Sequence, residues 1–216
     1  MRSIRVTGKG KIKVHPDITR ITMTLSGVEK DYAEALARSA QETEALKELL
    51  TEFGFERSDL KTLSFDVDTK YEYYQSHGDS KKRFAGYEFT HRLKVEFSSD
   101  NKRLGKILYA LAASELHPDF QISYTVADPE ASKNELLGKA VKDAMTKASV
   151  LADVSGVKLL DIQSIDYSWS ELDIEVGSFN NLCKYDGSVG GGSLDLDIEP
   201  DDIDLTDTVT VVWEIG

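Results

Sequence analysis

Apolar residues in this chain recur at two spacings, and the points where one spacing gives way to the other restrict the fold class more than any other feature. Ile21, Met23 and Leu25 lie on one side of an extended segment, with Arg20, Thr22 and Thr24 on the other, the alternation of a half-buried strand. From Asp31 to Phe53 the step lengthens. Tyr32, Leu36, Ala40, Thr43, Leu46, Leu50 and Phe53 fall at three- and four-residue intervals, which predicts a long helix closed by Gly54. Alternation then returns through Leu63, Phe65, Val67, Thr69, Tyr71 and Tyr73, and again through Tyr87, Phe89, His91, Leu93, Val95 and Phe97. The polar cluster Ser76-His77-Gly78-Asp79-Ser80 between those runs predicts a long antiparallel hairpin.

A short helix is expected after Asp100, with Leu104, Ile107, Leu108 and Leu111 inward, followed by a strand through Phe120, Ile122, Tyr124 and Val126. The second long helix has a readable start: Asp128 as cap, Pro129 at the first helical position, Glu130 in the first turn. Its expected inner stripe is Leu137, Val141, Ala144, Ala148 and Leu151, with Gly156 at the exit. Leu160, Ile162, Ile165, Tyr167 and Trp169 slip phase by one residue, as across a bulge, and Val209, Val211, Trp213 and Ile215 form a last alternating strand. The predicted fold is α+β: an antiparallel-rich sheet, two long helices packed on one face, a short third helix and a protruding β-hairpin.

All 216 residues are expected to form one domain, residues 1–216. The Gly- and Asp-rich stretch 177–205 is read as a mobile loop inside it, since too little chain follows to build a second core. One internal echo stands out. His15-Pro16-Asp17-Ile18 recurs as His117-Pro118-Asp119-Phe120, and the same offset carries Gly54 onto Gly156. Two readings remain open: a pseudo-duplicated β-α-β core, or coincidence among common turn residues.

Composition excludes several function classes. The formal charge of −12 argues against an electrostatic grip on nucleic acid, and the one dense basic run, Lys81-Lys82-Arg83, falls in an expected loop. A lone Cys183 supplies neither an intramolecular disulfide nor a Cys-based zinc site. No apolar stretch approaches the roughly 20 residues of a membrane span. Met1-Arg2-Ser3 runs directly into Ile4-Arg5-Val6 without a signal-peptide pattern, which leads to the expectation of a cytoplasmic protein, the alternative being export with the signal peptide removed.

The search for catalytic residues returns none, and no cofactor is expected. There is no Gly-x-Ser-x-Gly elbow and no Walker loop, and Gly8-Lys9-Gly10 lacks the third glycine of a dinucleotide fingerprint. His15, His77 and His117 read as turn residues; His91 falls on the apolar side of its strand and reads as a satisfied core histidine. Asp195, Asp197, Glu199, Asp201 and Asp202 offer hard oxygen ligands suited to calcium, but without EF-hand spacing, so a solvated acidic loop is the plainer account.

Several segments together resemble the SIMPL-domain family, the group that contains periplasmic or outer-membrane immunogenic proteins of Gram-negative bacteria. The residues that carry the resemblance are Ile4-x-Val6-x-Gly8-x-Gly10 with Pro16-Asp17-Ile18, then Gly86-Tyr87. With them go the run Ala140-Val141-x-x-Ala144-x-x-Lys147-Ala148-x-x-Leu151-Ala152-x-x-x-Gly156 and the closing Val209-x-Val211. The resemblance implies a family largely without assigned biochemistry or agreed catalytic residues, often exported, with some members forming ring- or channel-like oligomers. It gives Gly8, Gly10, Pro16, Asp17, Gly86 and Tyr87 structural roles.

The resulting expectation is a non-enzymatic oligomerising or interaction protein, a homo-oligomer with no nucleic-acid partner, whose contact surface includes Tyr71, Tyr73, Tyr74 and Phe84 on the hairpin. The alternatives are a small-molecule or divalent-metal binder using a pocket between sheet and helices or the acidic loop, and an unrecognised hydrolase.

Overall fold

The computed structural model describes residues 2–76, 79–167, 174–180 and 199–216, with backbone alone for 76, 79 and 176–180. In chain order the elements are β1 (Ser3–Val14), β2 (Ile18–Glu29), α1 (Tyr32–Thr51), β3 (Lys61–Ser76), β4 (Asp79–Ser98), α2 (Asn101–Ala113), β5 (Asp119–Thr125), α3 (Pro129–Ser155), β6 (Leu159–Asp166), β7 (Val176–Asn180) and β8 (Ile203–Ile215). The class is α+β. The strands form two sheets, ordered β1-β8-β6 and β3-β4-β2-β5-β7. The chain groups into two compact units.

The first unit comprises Met1–Asp17, Thr125–Val176 and Pro200–Gly216. Its sheet begins with β1, where Val6, Gly8, Gly10 and Ile12 are buried while Arg5, Thr7, Lys9 and Lys11 are exposed. β1 pairs antiparallel with β8 in one unbroken register, from Ser3↔Glu214 to Val14↔Ile203. β6 joins the far side of β8, antiparallel, with register shifts between Leu159 and Ser164. Helix α3 starts as its sequence dictates: the Asp128 carboxylate accepts from the Ala131 N–H at 2.9 Å, and Pro129 needs no partner at the first position. It ends at Gly156, whose φ is 67°.

The two glycines of β1 set the distance between α3 and the sheet. A Cβ on Gly8 would lie 2.1 Å from the Ala140 carbonyl oxygen and 2.4 Å from the Ala144 nitrogen, and one on Gly10 2.3 Å from the Leu136 carbonyl oxygen. Helix backbone therefore rests directly on strand backbone. The buried stripe is Leu136, Ala140, Ala144, Ala148 and Ala152; Ala140, Ala144 and Ala148 pack with Val6, Val209, Val211 and Trp213, and Leu136 with Ile12, Ile203 and Leu205. This corrects the expected stripe: Leu151 is 48% exposed, and Leu137 and Val141 flank the contact. Where Gly8 meets the helix, the inner positions Ala140 and Ala144 are small, so size selects the residues of closest approach.

The second unit comprises Ile18–Tyr124 and Gly177–Glu199. β4 pairs antiparallel with β2 on one side and with β3 on the other. Ile21, Met23 and Leu25 of β2, with Phe89, Leu93 and Val95 of β4, face Leu46 and Leu50 of α1 and Leu104, Ile107, Leu108 and Leu111 of α2. Each such burial is worth about 1.5–3 kcal/mol, against about 0–1 for an exposed ion pair, so the core holds this unit together. The Asp100 carboxylate caps α2 through the Lys102 and Arg103 N–H groups.

Three expectations are corrected, those for the shared sheet of the long helices, the inner face of α1 and the placement of Lys81-Lys82-Arg83. The two long helices do not share one sheet: α1 packs on β2 and β4, and α3 on β1 and β8. The N-terminal half of α1 buries Ala35 and Ser39, while Leu36 and Ala40 are exposed, because the small residues again face the sheet. The stretch 177–205 begins and ends in strands, β7 and β8, its residues 181–198 lying outside the described residues. Lys81-Lys82-Arg83 lies within β4. Of the echo, the first copy places β2 and β3 in one sheet, whereas β5 and β6 belong to different sheets.

Candidate functional site

β4 is longer than its neighbour β2, and the excess defines the surface of interest. The β2 ladder stops at Glu29↔Tyr87, while β3 and β4 stay paired from Lys70↔Gly86 to Ser76↔Asp79. Beyond Tyr87 the hairpin is thus a two-stranded arm. Gly86 permits the departure: its φ is 150°, and a Cβ there would lie 2.3 Å from the Glu29 carbonyl oxygen. The register shift between Lys70 and Tyr71 falls at the same level.

Both faces of the arm are exposed. Pairing places Tyr71 opposite Phe84 and Tyr73 opposite Lys82 on one face, with Glu72 opposite Arg83 and Tyr74 opposite Lys81 on the other. The first face continues the helix-covered side of the sheet. Tyr32 at the start of α1 meets Tyr87 edge-on at 5.6 Å, Tyr87 meets Phe84 at 5.4 Å, and Phe84 meets Tyr71 at 6.0 Å. Lys82 Nζ sits 3.8 Å from the Tyr71 ring centroid. Tyr73 is 72% exposed and has no ring partner among the described residues. On the second face Arg83 pairs with Glu72 at 2.7 Å, which holds the guanidinium pKa above its usual value.

His91 lies where α1, β3 and β4 meet. Its Nδ1 is 3.1 Å from Thr43 Oγ1 and 3.4 Å from Ser39 Oγ, its Nε2 is 3.0 Å from Thr62 Oγ1, and Phe65 packs against the ring at 5.1 Å. The tautomer follows from Thr43, whose hydroxyl donates to the Ser39 carbonyl at 2.8 Å. With that hydrogen committed, Thr43 Oγ1 accepts from Nδ1–H, and Nε2 accepts from the Thr62 hydroxyl. Burial, then repulsion from Lys47, lowers the His91 pKa below 6.5.

The other sequence candidates lie apart. His15 Nδ1 is 3.2 Å from Asp202 Oδ1, and the Asp202 N–H donates to Asp201 Oδ1 at 2.8 Å. Among the described residues no three His, Cys, Asp or Glu side chains converge as a metal site; Asp195, Asp197 and His77 lie outside the described residues. Asp17 serves the backbone: its N–H donates to Thr125 O at 3.1 Å, and its carboxylate accepts from the Ala127 N–H at 2.8 Å. Pro16 stands between β1 and β2.

Sequence reasoning missed a cleft of about 500 Å³, lined by Arg38, Glu42, Leu49, Ser114, Glu115 and Leu116 among others. Arg38 is already held by Glu29 and Glu42, each at 2.8 Å, and His91 is not in the lining. Strain beside this cleft, at His117 with φ 42°, carries no periodicity and was not legible.

A two-sheet α+β scaffold with glycine-seated helix packing and an aromatic arm is thus the class of protein in hand. The chain belongs to the SIMPL family, described as proteins of unknown function (DUF541), whose family model matches residues 4–213. It is similar to the 26 kDa periplasmic immunogenic protein of Brucella abortus (strain S19), 25% identical over 183 residues that cover 83% of this chain and 73% of that protein. The protein of the same name from Brucella melitensis biotype 1 is 24% identical over 183 residues, with the same coverage. The uncharacterized protein YggE of Edwardsiella ictaluri (strain 93-146) is 24% identical over 169 residues, covering 78% of this chain and 69% of that one. Among the described residues no helix is long and apolar enough to cross a membrane.

Proposed function

We propose that this chain is a non-enzymatic assembly and interaction protein of the SIMPL type, and that the aromatic face of the β3–β4 arm is its contact surface. One observation carries the reading: Tyr71, Tyr73 and Phe84 stand 42–72% exposed on one face of a two-stranded segment that extends past β2, with Tyr74 exposed on the other face. Rigid aromatic side chains of this kind anchor interfaces at low entropic cost. A homo-oligomer is the partner proposed. Size-exclusion chromatography with light scattering, comparing wild type with Tyr73→Ser/Phe84→Ser, tests this. Assembly at micromolar concentration that the double variant abolishes supports the reading; a strict monomer throughout that range ends it.

A second reading rests on the cleft beside α1, which has the volume of a small-molecule site. A thermal-shift screen of metabolites and divalent ions discriminates, because a native-state ligand raises the melting temperature. As for location, two relatives carry "periplasmic" in their names, which supports export and lends no support to the cytoplasmic expectation.

A further inference from the structure

We infer that His91 makes the seating of α1, and with it the aromatic base of the arm, sensitive to acid. The inference rests on the arm being the contact surface and supplies a means of regulating it.

The ring joins three elements at once: two hydroxyls of α1 at Nδ1, one hydroxyl of β3 at Nε2, and the β4 backbone that carries it. In the neutral form every ring hydrogen-bonding position is matched. Protonation adds a hydrogen at Nε2, and Thr62 can rotate to accept it, so no hydrogen bond need be lost. The cost is the charge itself, placed in a half-buried site without a counter-ion. From α1 the charged group facing the ring is Lys47, which repels it. Arg38, also on α1, lies over Phe89 at 5.9 Å and engages the carboxylates of Glu29 and Glu42. β2 presents Leu25 across the ladder, and β3 presents Thr62 and Phe65. Among these neighbours none offers the ring a carboxylate. Undocking of α1 hydrates His91 and lets it protonate, so acid favours the undocked state.

The consequence reaches the arm through Tyr32. This first residue of α1 packs on Tyr87, which packs on Phe84, which packs on Tyr71. Loosening α1 removes the inner support of that ladder.

Hydrogen exchange of α1 peptides at about pH 7.5 and about pH 5.5, corrected for intrinsic rates, tests the inference, with wild type set against His91→Gln. Glutamine keeps hydrogen-bonding groups and does not titrate. Wild-type protection over Tyr32–Thr51 is expected to fall by up to about tenfold at the lower pH, the ratio given by a group of pKa about 6.5 that protonates only when α1 is undocked. His91→Gln is expected to show no such fall. Should that variant misfold, an NMR titration of the imidazole in wild type and in Lys47→Gln decides the matter. A wild-type midpoint below 6.5 that rises in Lys47→Gln supports the inference. Equal loss of protection in both proteins, or a midpoint at or above 6.5, overturns it. Light scattering on the same samples separates the two ideas: a monomer at both pH values removes the arm reading and leaves the exchange result standing.

Discussion

The Asp143 carboxylate accepts the backbone N–H of Lys9 at 2.7 Å, sealing the outer edge of β1 from a helix. Lys147, one turn further along, reaches the Thr7 carbonyl at 3.4 Å and Asp143 itself at 2.7 Å. Because Arg2 and Ile215 form a hydrogen-bonded pair, the odd-numbered residues of β1 turn their N–H and C=O groups away from β8. Thr7 O and Lys9 N–H are thus two groups that an added strand would use. Asp143→Ala is expected to lower the melting temperature slightly and to raise concentration-dependent self-association seen by light scattering, while Asp143→Asn retains an acceptor and behaves closer to wild type.

Acid should act on the same contact. The Lys147 ammonium, then the Lys9 N–H, hold the Asp143 carboxyl below its ordinary value of 3.8. A depressed carboxylate pKa contributes stability that is complete above the unfolded value and is lost as pH falls through the folded one. Denaturation midpoints followed from neutral pH down to about pH 2 should show an acid-labile component that is absent in Asp143→Asn.

Glycine substitutions separate close approach from mere flexibility. Gly8→Ala forces a methyl into the α3 backbone and should cost about 1–3 kcal/mol or more. Gly138→Ala, on the outer side of the same helix with nothing within 4 Å of the new atom, should stabilise by about 0.5–1 kcal/mol. Urea titrations of the two variants should therefore move in opposite directions.

The Tyr124 hydroxyl is buried with no hydrogen-bond partner among the described residues, and burial raises its pKa. Tyr124→Phe removes an unsatisfied polar atom and keeps the ring. It should be neutral or stabilising, by up to about 1–3 kcal/mol, in the same titrations.

The three helix caps are not equivalent. Asp100 and Asp128 accept backbone N–H groups, whereas Asp31 makes no side-chain cap bond. Alanine at Asp100 or Asp128 should cost about 1 kcal/mol and at Asp31 only a few tenths, measured by chemical denaturation.

What the sequence disclosed and what it hid follow from range. Local signals were legible: the Asp128-Pro129 start of α3, the Asp100 cap of α2 and the alternating runs of β3 and β4. Leu46, Leu50 and the apolar stripe of α2 were read correctly as inward, whereas Leu36 and Leu151 were misread, since Ala35, Ser39 and Ala140 win by size at close range. The division into two sheets depends on which strands pair, and nothing local in Ser3–Val14 specifies a partner at Ile203–Ile215. His91 was legible as a core histidine, but its hydroxyl cage is assembled from Ser39, Thr43 and Thr62, which no spacing rule connects.

The pairing of β1 with β8 also imposes an order of events during synthesis. Thr7 and Thr210 share a 2.8 Å hydrogen bond although 203 positions separate them. The apolar cluster from Ile21 to Tyr124 is contiguous and can condense while the ribosome is still translating. β1 must wait, its backbone unpaired, until the last strand emerges. A chain stalled or truncated before β8 would present the condensed core of the second unit with β1 left as an open strand, the form most exposed to chaperones and proteases.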